Sequence, residues 1–338
     1  MKIAFDYKIS NDQTYGGVSR YYKNLSSKLL KRIYLFFFPI KQTPFIINIQ
    51  EADMASKKIY NLLISDKPCM IARFGATESN ILKNYIDINS KHRSILGFIK
   101  GKCGPWWWNK NILRNFKLWS GFFPLDTILV EKYCRLVLSD IPEINILGTW
   151  KADKNLCDDK LNNTLKVEFE YLEPFFANKP WLRALENKKV LVIHPFKDSI
   201  ESQYKKRELL FKNNLLPKFE LKVIKAVQTV ANEKSKFKNW FEALEYMKKQ
   251  MNETDYDIAL IGCGAYGFNL AAHAKRMGKK GFHLGGVLQV LFGIIGKRWE
   301  NPKQGNGVYL KLLNNHWVRP MDSEKPKQSF LVENNTYW

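Results

Sequence analysis

The stretch from Ile258 to Gly278, IALIGCGAYGFNLAAHAKRMG, decides the fold. Ile258–Ile261 is an apolar run of strand length, closed by the glycine turn Gly262-Cys-Gly264-Ala-Tyr-Gly267. A helical pattern follows over Phe268–Met277, with Gly278 placed to cap its end. The same strand–turn–helix unit recurs outward from this point. Val190–Ile193 reads as a strand, with a turn at Pro195 and a helix from about Ser199 to Asn213. Leu221–Val227 reads as a strand, Phe237–Gln250 as a helix, and a short strand ends at Leu284. Nearer the start, a helix over Ala52–Leu63 leads to the strand Cys69–Arg73, and a helix begins by Glu78. Ile144–Gly148 reads as one more strand. Strands alternating with helices imply an α/β, Rossmann-like fold: a mainly parallel sheet flanked by helices. Ligands of such sheets sit beyond the carboxyl ends of the strands.

The chain has 338 residues, enough to bury a large core, and its 45% hydrophobic and 25% charged residues are ordinary globular usage. The formal net charge is +22. A surface this basic attracts anionic lipid, phosphorylated substrates or nucleic acid, although a compositional bias of the genome produces the same excess of lysine. No nucleic-acid module is present, and no specific nucleic-acid partner is expected. Five cysteines without a CxxC pair, and no secretory signal, imply reduced thiols and a cytoplasmic protein. The best apolar stretch, Ile33–Ile40, is too short to span a bilayer. It reads as a buried strand or helix end, or as a segment lying on a membrane. Trp106, Trp107 and Trp108 suit stacking on a sugar, a lipid interface or the core.

Four segments at strand ends can carry chemistry. In Arg73-Phe-Gly75-Ala-Thr-Glu78, the arginine can clamp phosphate and the glycine admits a ligand to the backbone. Glu78, at a helix start, can accept ribose hydroxyls, hold a metal or act as a base; a structural Arg–Glu pair is the alternative. The turn Gly262-Cys-Gly264-Ala-Tyr266-Gly267 matches GxGxxG, whose amides can cradle a pyrophosphate. No acidic residue stands about 20 positions on, where a dinucleotide fold holds its ribose, which disfavours NAD. His194, Lys197 and Ser199 follow a strand and open a helix, where they can meet an anion; a satisfied structural histidine is the alternative. His283, Gly285 and Gly286 look like a site wall, with the Lys297-Arg298-Trp299 cluster beyond them.

At these residues the chain resembles the GT-D class of bacterial glycosyltransferases, which carries Arg-aromatic-Gly-Asp-Gly-Glu after a strand and a glycine-rich strand–turn–helix near its C-terminus. Arg73, Gly75 and Glu78 match the first motif. Ala76 stands where the class has its first carboxylate and Thr77 where it has its second glycine, leaving RxGxxE. The resemblance covers about residues 50 to 300. It implies transfer of a hexose from a nucleotide-sugar donor to a glycan or lipid-linked acceptor, in surface polysaccharide biosynthesis. The donor site would be Arg73, Gly75, Glu78, His194, Lys197, Ser199, Gly262, Gly264, Tyr266, Gly267, His283, Gly285 and Gly286, with Glu78 catalytic. Manganese or magnesium would be held through Glu78, yet a lone carboxylate binds a divalent ion poorly. A second likeness lies in GGVSRY (16–21), which resembles the opening loop and helix of a family 4 glycosyltransferase of the GT-B type. The expected division is a β-loop-α segment over 1–45, a GT-D-like domain over 46–320 and a tail over 321–338. Peripheral attachment to the inner face of an anionic membrane would fit the charge. The competing readings are a cofactor-dependent Rossmann-like enzyme, such as a methyltransferase or oxidoreductase, and a polyanion-binding protein.

Overall fold

Seven parallel strands form one sheet in the order β3-β2-β1-β7-β6-β4-β5. They are β1 (Cys69–Arg73), β2 (Ile144–Thr149), β3 (Leu165–Glu168), β4 (Lys189–His194), β5 (Glu220–Lys225), β6 (Ile258–Ile261) and β7 (Lys280–His283). The structure is a computed structural model that describes residues 17–39, 48–49, 51–92, 94–150, 156–161 and 163–338. The expected strand at Lys2–Asp6 and most of the extended stretch at Lys41–Ile49 lie outside the described residues. The first and last strands lie side by side at the centre, because the chain winds outward through β2 and β3 and later returns inward through β6 and β7.

Strand periodicity divides the core in two. Val192, Leu260, Phe282, Ile71 and Ile146 are register partners across five strands. They point to one face, where Ile59 and Leu63 of α2 (Ala52–Ile64), Trp181 and the buried turn Gly285–Phe292 cover them. The alternate row, with Leu191, Ala259, Met70 and Ile144, faces the other layer. That layer holds α3 (Ala76–Asn89), α5 (Lys110–Ser120), α6 (Thr127–Asp140), α9 (Trp240–Asn252) and α10 (Gly267–Arg276). Being apolar on both faces is what a doubly covered parallel sheet requires. Each buried large aliphatic side chain contributes about 1.5–3 kcal/mol relative to exposure. At Gly281 a Cβ would stand 2.8 Å from the Cα of Ala271, so glycine lets α10 lie close against β7.

Two expectations are corrected. The helix expected over Ser199–Asn213 breaks into α7 (Lys197–Tyr204) and α8 (Arg207–Leu210). Gln203 is buried and its amide donates to the His316 carbonyl at 2.9 Å, so docking onto the later segment sets where α7 ends. The apolar stretch at residue 33 onward is the exposed end of α1 (Gly17–Phe37) rather than a buried element. Among its described side chains Ser27 is buried and Lys31, Tyr34 and Leu35 are half-buried, and the helix packs on α4 (Ile95–Ile99).

Candidate functional site

All seven strands deliver residues to one cleft of about 370 Å³ beyond their carboxyl ends. Arg73 comes from β1, Trp150 from the end of β2, Phe169 from after β3 and His194 from β4. Val227–Val230 follow β5, Gly262–Gly264 and Tyr266 follow β6, and His283, Gly285 and Gly286 come from β7 and its turn. The size is that of a small-ligand pocket.

Arg73 is the centre of the polar arrangement. Its guanidinium lies 3.7 Å from the Phe169 ring centroid and 5.3 Å from that of Trp150, and the two rings stack at 3.8 Å. The Trp150 indole N–H donates to the Phe74 carbonyl at 3.1 Å, fixing the platform. One Arg73 N–H reaches the Leu284 carbonyl at 3.4 Å. Burial lowers the guanidinium to about 10, opposed by the Glu173 carboxylate, so it stays cationic at neutral pH. Beside it α3 begins, with Gly75 as N-cap and Ala76, Thr77 and Glu78 in its first turn, all of them lining the cleft. A helix start carries unpaired N–H groups and partial positive charge, and so favours anions.

The Glu78 carboxylate folds back over Gly75, so closely that a Cβ there would collide with it. This resembles a capping-box glutamate at the third helical position. Burial raises its pKa, while a hydrogen bond from Ser120 lowers it. Across the cleft stands Glu173, a residue that the sequence pattern did not single out. It is 5% exposed and accepts a hydrogen bond from the Tyr309 hydroxyl. Burial pushes its pKa up to about 7, against the opposing effects of Tyr309 and Arg73. Arg298, from the Lys-Arg-Trp cluster, also lines the cleft and pairs with Glu333.

The two histidines are held neutral in opposite tautomers. The Phe196 N–H donates to Nδ1 of His194 at 3.0 Å, which leaves the ring proton on Nε2. His283 donates from Nδ1 to the Arg73 carbonyl at 3.1 Å, which leaves Nε2 as an acceptor. Burial drives both to about 3, and for His283 the Arg73 charge adds to the effect. His194 therefore offers a donor, and neither histidine supplies a proton at neutral pH by becoming cationic.

The GxGxxG turn is spent largely on protein contacts. A Cβ on Gly262 would stand 2.5 Å from the Gly285 carbonyl oxygen, and one on Gly264, whose φ is +58°, 2.8 Å from that of Ser120. A Cβ on Gly267 would stand 2.5 Å from Nε2 of His283. Gly267 itself lies outside the cleft lining, while Gly262, Gly264 and Tyr266 face it. Lys197 and Ser199 are not brought into the cleft. Lys197 pairs along its helix with Glu201 at 3.8 Å. Ser199 is buried and donates to Glu324, which also accepts from the Asp198 N–H at 2.7 Å and the Ser199 N–H at 3.3 Å. The anion at the start of α7 is thus the chain's own tail carboxylate.

No family model matches the chain. Neither a curated protein nor a solved structure matches it. Among the described residues no group of three His, Cys, Asp or Glu side chains converges to hold a metal ion. Glu78, the expected ligand, is engaged by Ser120 instead. Glu173, a further carboxylate of the cleft, is likewise held by a hydroxyl, that of Tyr309. The sequence pattern does not mark Phe169, Glu173 and Tyr309 because none follows a glycine-punctuated apolar strand; Trp150 does follow one, Ile144–Gly148, and that strand end is the signal that could have found it.

Proposed function

We propose that the chain is a glycosyltransferase that moves a hexose from a nucleotide-sugar donor to a hydroxyl of a glycan or lipid-linked acceptor. The observation that carries this reading is the half-buried Arg73 guanidinium, clamped on Phe169 beside the start of α3 and facing a cleft lined by Glu78, Glu173 and Glu333. A fixed cation next to helix amides suits a diphosphate, whose negative charge grows as the sugar leaves. Arg73 and Arg298 would neutralise the departing nucleoside diphosphate. The Trp150–Phe169 platform gives the donor an aromatic wall.

Glu173 is assigned as the general base. It takes the proton from the acceptor hydroxyl; the acceptor oxygen forms its bond to the anomeric carbon; the bond from that carbon to the phosphate oxygen breaks, and its electron pair leaves with the nucleoside diphosphate. Glu78 keeps the donor-side role expected of it, accepting hydroxyls of the ribose or sugar. His194 donates from Nε2 to donor or acceptor oxygen. Positioning and electrostatic stabilisation carry the rest of the rate.

The test is a calorimetric titration of the purified chain with UDP-, GDP-, CMP- and dTDP-sugars, run in parallel on Arg73→Ala and Glu78→Ala. One donor is expected to bind, and both variants to weaken it. A folded protein that binds none of these donors overturns the reading and turns attention to cofactor-dependent chemistry.

A further inference from the structure

The end of α1 and the helix it packs on present an apolar surface that the cleft does not explain. Leu29, Leu30, Ile33, Phe36, Phe37 and Phe38 are all exposed, Phe36 to 81% and Phe37 to 67%. Residues 29, 33 and 36 recur at helical spacing, as do 30, 33 and 37, so they share one broad face. The partner helix α4 adds Ile95 at 57% and Leu96 at 66% exposure. Isolated exposed apolar residues are normal, but six gathered at the exposed end of one helix mark an interaction surface.

Charge selects the occupant. The sequence of α1, GVSRYYKNLSSKLLKRIYLFF, contains no Asp or Glu; Lys28 and Arg32 border one edge of the apolar face, and Lys31 lies on the side packed against α4. Lys31 lies 4.3 Å from the Phe98 ring centroid and Lys28 lies 5.6 Å from the Trp107 ring centroid, so the basic groups stay anchored at the α1–α4 contact. Trp106 and Trp107 pack edge-on there at 5.2 Å. Two copies joined through this face would bring like charges together. An anionic bilayer meets both needs: it buries the Leu and Phe side chains and neutralises Lys28 and Arg32 at the edge of the face.

We infer that the α1–α4 surface docks the protein on an anionic lipid membrane, with α1 lying in the interface plane. Among the described residues no helix is long and apolar enough to cross a membrane, so this is a surface mode of attachment. It goes beyond the sugar-transfer reading and stands without it, because the measurement needs neither donor nor acceptor.

The experiment is co-sedimentation of the full chain with vesicles of phosphatidylcholine alone and of phosphatidylcholine with phosphatidylglycerol. Binding is expected on the anionic vesicles, weakening as salt rises. The triple variant Phe36→Ser, Phe37→Ser, Phe38→Ser is expected to lose roughly tenfold or more in affinity, since each exposed aromatic contributes buried apolar area. Lys28→Glu with Arg32→Glu is expected to lose binding to the anionic vesicles too. Circular dichroism and the unfolding midpoint verify that these surface variants are folded. Failure of the wild type to bind anionic vesicles, or equal binding by the triple variant, overturns the inference. So does light scattering that shows a wild-type dimer, made monomeric by the triple variant, with no vesicle binding: a second copy is then the occupant.

Discussion

Glu173 keeps its proton up to about pH 7 because its carboxyl is buried, and the Tyr309 hydrogen bond and Arg73 charge only partly offset that burial. As the proposed base it would work ionised, so kcat/KM for the proposed transfer should rise with pH through about 7 and level off above it. Glu173→Gln should abolish that limb and lower the rate by about a hundredfold or more. The same shift has a stability consequence of defined sign. In the unfolded chain the carboxyl ionises near 4.5, whereas the folded chain holds the proton up to about 7. Folding therefore loses stability as pH rises from 4.5 through 7, and Glu173→Gln should flatten that part of the curve. Urea unfolding at a series of pH values reads this without any substrate; a slope unchanged in the variant refutes the assignment. Arg73 calls for a different test. Lysine keeps the charge but loses the planar group that lies on Phe169 and that, in the proposed function, would fork towards a diphosphate. Arg73→Lys should weaken the nucleotide-sugar donor by about 10- to 100-fold by calorimetry.

At the scale of the element, the glycine turn after β6 separates a steric requirement from a conformational one. Gly264 and Gly278 both have positive φ, +58° and +75°. A Cβ at Gly278 would meet nothing within 4 Å, whereas one at Gly264 would stand 2.8 Å from the Ser120 carbonyl oxygen. Gly278→Ala should cost about 1–2 kcal/mol from backbone strain alone, and Gly264→Ala about 2–4 kcal/mol because the clash adds to the strain. Equal losses in denaturant unfolding would mean that the α5–β6 approach is slack. The turn also shows what sequence conveys. β1 and β6 coincide with their expected bounds because apolar runs ended by Arg-Phe-Gly or Gly-Cys-Gly have one reading. β4 and β7 fall within a residue of theirs, which is why Arg73, His194, Gly262 and His283 were legible as strand-end residues. α5 and α6, by contrast, follow the aromatic run at Trp106–Trp108, where the pattern does not separate a helix face from a loop. Glu173 sits between two short 3₁₀ turns, and Arg298 and Tyr309 come from a 3₁₀ turn and a five-residue helix. Such pieces have too few residues to show a period, and tertiary packing alone places them.

At the scale of the whole molecule, residues 321–338 behave as part of the sheet's cover and of the cleft wall. Glu324 caps the start of α7, and the Trp119 indole N–H donates to the Leu331 carbonyl at 3.0 Å. The Gln289 amide donates to the Tyr337 carbonyl at 3.1 Å, and Val332 and Trp338 are buried beside the cleft. Removing this segment would uncover Phe196, which packs against Trp338 at 6.1 Å between ring centroids, and would leave the Arg298 guanidinium without Glu333. A chain ending at Pro320 should therefore unfold at a lower temperature and bind the hydrophobic dye ANS. Glu324→Ala, which removes only the α7 cap, should cost about 1–3 kcal/mol. The two changes test one point at different depths. If the shortened chain keeps the wild-type midpoint while Glu324→Ala does not, the tail acts only as a cap. If both fall, with the truncation falling further, the last eighteen residues complete the core that holds Arg298 and His194 in the cleft.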